Sequence, residues 1–105
     1  MPFRFYMFER RDNADRTAIA NSALALCRAI RETNGINSAK FYWSGLDHIA
    51  LLIDGENTAL NAPGSGNPNQ AAKAAFDLSD VTRQTMDIRL AEPRLGEEAY
   101  RSAGR

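Results

Sequence analysis

Cysteine, histidine and tryptophan each occur once in these 105 residues, and each scarcity removes a class of function. A lone Cys27 can close no intramolecular disulfide and can form no metal-binding cysteine pair. This usage fits a reducing compartment, so a cytoplasmic protein is expected. His48, also alone, cannot build a multi-histidine metal site, and the spacing of Asp47 and Asp54 around it matches no metal motif. No metal is therefore expected. Net charge is missing too: 13 basic side chains balance 13 acidic ones. No overall positive field exists to gather phosphates or an anionic bilayer, so neither nucleic acid nor membrane is an expected partner. No apolar run is longer than Ile49 to Ile53, which is far too short to span a bilayer. Arg4, Glu9, Arg10 and Arg11 interrupt the apolar residues near the N-terminus, so no signal-peptide core is expected. No Gly-Lys-Ser/Thr follows the glycines at 64–66, and no serine has the Gly-x-Ser-x-Gly setting of a nucleophile elbow.

What remains is an ordinary soluble composition, 44% hydrophobic and 25% charged, in a length that suits one domain. The reading is a single α+β domain over 1–105, with a core at about 3–91 and a polar tail at 92–105. Phe3 to Phe8 is aromatic on both faces and reads as a strand. A helix is expected from about Ala14 to Asn34, capped by Asp12 or Asn13, with Asp15 in its first turn and Gly35 as a left-handed stop. Ile19, Ala23, Leu26 and Ile30 share one face of it. Ala39–Ser44 and His48–Asp54 read as a hairpin around Gly45-Leu46-Asp47. Residues Gly55 to Asn67 read as a long mobile loop with few apolar anchors. Pro68 opens a second helix, with Asn67 as cap, Gln70 completing a capping box, and Ala71, Ala74, Ala75 and Leu78 as its buried stripe. A last strand spans about Thr85 to Ala91, where Met86, Ile88 and Leu90 alternate with Asp87 and Arg89.

The order β-α-β-β-α-β predicts a ferredoxin-like sandwich: a four-stranded antiparallel sheet with two helices on one face and strands one and three central. The other face should be polar on a monomer, yet strands one to three are apolar on both. Such a patch marks an interface, so a homodimer through the sheet face is expected unless the tail covers it. This element order, length and two-sided sheet resemble the dimeric α/β-barrel superfamily over residues 3 to 91. That group holds cofactor-free monooxygenases of antibiotic biosynthesis, stress-responsive barrel proteins and muconolactone-isomerase-like enzymes. The resemblance implies a small cavity between sheet and helices, a small organic ligand and no bound cofactor, but no particular substrate.

Several residues carry chemistry, each beside a plainer reading. His48 is the weak catalytic candidate, since imidazole passes protons near neutrality; a strand-end histidine bonded to backbone or water is the plainer reading. Tyr6, Tyr42 and Trp43 present rings with polar tips that suit a flat organic ligand, or else pack in the core or interface. Asn67, after Gly-Ser-Gly at a helix start, borders any cavity rim and suits a carboxylate or carbonyl. Cys27, next to Leu26, reads as a small core residue. The third strand is aliphatic and offers no rings to stack bases, which argues against an RNA-recognition motif. Three functions remain: an enzyme on a small apolar molecule, a non-catalytic or stress-related binder, and a structural dimer. A cavity lined by polar tips separates the first two from the third.

Overall fold

The computed structural model describes residues 2–90. The expected tail at 92–105, and its covering of the sheet, lie outside the described residues. The elements are β1 (Phe3–Arg10), α1 (Arg16–Arg31), β2 (Ile36–Ser44), β3 (His48–Gly55), α2 (Asn57–Asn61), α3 (Pro68–Val81) and β4 (Thr82–Leu90). They form one open antiparallel sheet in the order β2-β3-β1-β4, so β1 and β3 are central and the ferredoxin-like reading holds. No helix among the described residues is long and apolar enough to cross a membrane.

Local chemistry explains the boundaries. Asn13 takes a left-handed conformation (φ 59°) inside a turn in which the Ala14 amide donates to the Arg11 carbonyl. The turn uses up Asn13, so the cap passes to Asp15, whose Oδ1 accepts from the Thr17 amide at 3.0 Å. Asp15 is therefore the cap itself rather than a first-turn charge. Gly35 does turn the chain left-handed (φ +91°) after the helix. Pro68 occupies the first turn of α3 as expected, but Asn67 makes no side-chain cap. Its amide instead donates to Gln70 Oε1 at 2.8 Å and to Glu32, bridging α3 to the end of α1.

The segment from 55 to 67 differs most from expectation. Asn57–Asn61 is a helical turn, with Leu60 wholly buried and Ala59 nearly so. Two apolar side chains on one short turn are anchor enough, and a scan for periodicity misses a turn this short. The following turn is tied down as well. The Thr33 hydroxyl donates to the Pro63 carbonyl and accepts from the Gly66 amide at 3.1 Å. Gly66 lies so close to the Glu32 carbonyl that a Cβ there would collide with backbone.

The core lies between the sheet and the long helices. Ile49, Leu51 and Ile53 of β3, with Ile19 of α1, are completely buried, joined by Ile30 and Leu78. Burying each such side chain is worth roughly 1.5–3 kcal/mol. Cys27 belongs to this core. Leu26 does not sit at its centre; it packs half-buried against it, one step round the helix. The α3 stripe is Ala71, Ala74 and Leu78, whereas Ala75 is exposed.

Register fixes the other face. Arg4, Tyr6 and Phe8 pair with Ile53, Leu51 and Ile49 and so face the helices. Phe3, Phe5 and Met7 therefore face away, beside Ala50, Leu52 and Tyr42. On β4 the apolar set also faces away: Met86, Ile88 and Leu90, each more than two-fifths exposed, pair with Met7, Phe5 and Phe3. The apolar open face expected of three strands thus extends to the fourth, whose helix side carries Asp87 and Arg89 instead.

Candidate functional site

The helix side of β1 ends in a hollow rather than a filled core. Tyr6 and Phe8 form its floor, because even-numbered residues of β1 point toward the helices. Leu26 and Ile30 supply the α1 wall, and Ala71, Ala75 and Leu78 the α3 wall. Alanines leave the space that larger side chains would occupy, so α3 stands off the sheet with a cavity of about 330 Å³ beneath it. That is within the size usual for small-molecule sites. Pro63 and Gly64 of the tethered turn border it, so the segment expected at the rim is there, held by Thr33. Against this apolar wall stand few polar groups: Tyr6, Ser79 and Gln84.

A charged brace stands beside Tyr6. Arg4 Nε and Nη2 donate to the two carboxylate oxygens of Asp87 at 3.0 and 2.9 Å. Its Nη1 donates to the Leu60 carbonyl at 2.7 Å, and its guanidinium lies 5.0 Å from the centre of the Tyr6 ring. Arg89 reaches the Asn57 carbonyl and the Asn61 side chain, so two arginines from the sheet hold α2 in place. Arg4 holds the Asp87 carboxyl below its usual range. Burial pushes the Tyr6 phenol above its ordinary value; Arg4 opposes this and Asp87 adds to it.

The structure disperses the residues singled out in the sequence. Of Tyr6, Tyr42, Trp43, His48 and Asn67, Tyr6 alone lines the cavity. Trp43 is half-buried near the start of α1, its ring centre 4.1 Å from the Arg16 guanidinium. Tyr42 is exposed on the open sheet face. Asn67 joins α3 to Glu32. His48 faces the open side, paired with Glu9, whose carboxylate lies 3.5 Å from its Nε2. Glu9 also accepts from Arg83 at 2.7 Å. His48 borders a polar hollow with Arg10, Asp12 and Asp47, and charges surround that space where the Tyr6 cavity has apolar walls. No sequence motif marks Gln84 or Ser79 as a site residue. The only signal for Gln84 was the phase of β4, which places it opposite Phe8.

The architecture is shared with solved structures. The Mycobacterium tuberculosis protein Rv0793 superposes with a TM-score of 0.70 at 19% identity, covering 88% of this chain and 95% of that one. SnoaB, a cofactor-independent oxygenase from Streptomyces nogalater, gives 0.71 at 7% identity over 88% of this chain and 92% of its own. An antibiotic biosynthesis monooxygenase gives 0.63 at 10% identity, over 86% and 96%. At such identities the likeness establishes the fold, in agreement with the resemblance read from element order. No family model and no curated protein matches the sequence.

Proposed function

We propose that this chain binds a small, mostly apolar organic molecule between its sheet and its long helices, and oxidises it as a monooxygenase-like enzyme without a tightly held cofactor. The observation that carries the reading is the 330 Å³ apolar cavity with the Tyr6 ring on its floor. Fold neighbours described as a cofactor-independent oxygenase and an antibiotic biosynthesis monooxygenase support the reaction class by analogy. The working unit is a homodimer whose open, apolar sheet faces cover one another, since the apolar surface that Leu52, Met86, Ile88 and Leu90 expose on this face is costly in water. His48, on that open face, has no part in the cavity chemistry of this reading.

One observation favours a second reading, a non-catalytic binder: among the described residues Tyr6 is the sole titratable group lining the cavity. Oxygen uptake decides between them. A ligand retained by the protein is incubated with it in air, and both oxygen consumption and product mass are followed. Consumption of oxygen with one oxygen atom added to the product and two hydrogens lost from it, the second oxygen atom leaving as water, supports the oxygenase. Binding that returns the ligand unchanged supports the carrier, and no binding of any apolar compound removes both.

A further inference from the structure

We propose that the cavity selects an uncharged molecule with a carbonyl group, whose oxygen accepts hydrogen bonds from both the Tyr6 hydroxyl and the Gln84 side-chain amide. The inference deepens the binding reading above and rests on it.

Tyr6 and Gln84 line the same cavity from adjacent strands, Gln84 being paired with Phe8, two residues along β1 from Tyr6. Among the described residues neither side chain has a hydrogen-bond partner within the protein. No buried side-chain polar atom there is left unsatisfied, so the free Tyr6 hydroxyl reaches accessible space. The third polar group, the Ser79 hydroxyl, already donates to the Phe76 carbonyl at 2.7 Å. The free donors are thus a phenol O–H and an amide N–H, and a carbonyl oxygen with two lone pairs accepts from both. Burial keeps the phenol protonated and able to donate.

Charge selection follows from what surrounds these donors. No ionised side chain among the described residues lines the cavity, and nearby Arg4 and Asp87 neutralise one another through two hydrogen bonds. An ionic ligand would lose hydration and gain no counter-charge, which is far more costly than moving a neutral carbonyl onto two donors. Alanine, leucine and isoleucine walls then receive the hydrocarbon body.

Three probes of one shape test this by calorimetric titration: 2-acetylnaphthalene, 2-ethylnaphthalene and 2-naphthoate. A merely greasy hollow ranks the ethyl compound first, because the ketone gives up hydrogen bonds to water. The proposal expects the ketone to bind about tenfold more tightly than the ethyl compound, as two net hydrogen bonds would produce, with the carboxylate weakest. Tyr6→Phe and Gln84→Leu should each narrow the gap, and together reverse the order. Ala75→Trp, on an exposed helix position, should fill the hollow and abolish binding of all three. Ethyl binding equal to or above the ketone, and lost in Ala75→Trp, overturns carbonyl selection while leaving the cavity reading intact. Binding unaffected by Ala75→Trp, or none by any probe, overturns both.

Discussion

The two faces of the sheet use the same alternation to opposite ends. On β3, Ile49, Leu51 and Ile53 face the helices and are completely buried, while Leu52 between them is 37% exposed on the open side. On β4 the relation inverts. Asp87 and Arg89 lie on the helix side, braced to Arg4 and α2, and Met86, Ile88 and Leu90 carry the apolar surface outward. The helices cover the centre of the sheet but leave this edge to ion pairs. A strand's apolar stripe therefore marks the face that needs covering, and register decides which face that is.

The largest effect expected within this contrast is on the helix side. Leu51→Ala should cost about 2–5 kcal/mol in urea unfolding, whereas Leu26→Ala, at the half-buried cavity wall, should cost less than Leu51→Ala. Equal losses at both positions would mean that the cavity is packed shut. On the open face, Ile88→Glu should leave the fold intact and turn a sedimenting dimer into a monomer, its unfolding midpoint no longer depending on concentration. A wild-type chain that sediments as a monomer at high micromolar concentration would break the dimer reading.

A smaller effect separates the ionic edge from the apolar centre. Asp87→Asn should cost at most about 1 kcal/mol at neutral pH, because the pair is partly exposed. The Asp87 pKa is lower folded than unfolded, so its contribution is complete above the ordinary aspartate range. It is lost as pH falls through the lowered folded value. Wild-type and variant stabilities should therefore converge in strong acid; a gap that widens there contradicts the pairing. The smallest effect is at Cys27, whose thiol burial pushes up to about 11. In mildly alkaline buffer it should react with a disulfide reagent only after denaturation. Rapid labelling of the native protein would place it outside the core.

Much of this fold is legible in residue order. Asn34-Gly35, the hairpin about Gly45 and Pro68 each set a local conformation that tertiary packing left alone. Packing decided the rest. Cys27 rather than Leu26 belongs to the buried cluster because α1 is turned slightly from the stripe its larger side chains suggest. Leu60 anchors α2 by burial that the surrounding Asn, Gly and Pro conceal. Tyr6 was visible as an aromatic with a polar tip, but Gln84 enters the site only through a pairing with Phe8 beyond the β1–β4 irregularity at Met7 and Phe8.

The strand order has a consequence for how the chain is made. Of the four described strands β1 is synthesised before the others, yet it pairs on one side with β3 and on the other with β4, the strand of these farthest from it in sequence. While the ribosome is still producing α2 and α3, one backbone edge of a strand containing Phe3, Phe5 and Phe8 waits without its partner. Such an edge recruits strands from neighbouring nascent chains. Arg4, Glu9 and Arg10 space charges along it during that interval, so the side chains that later brace the folded sheet also guard it against premature company.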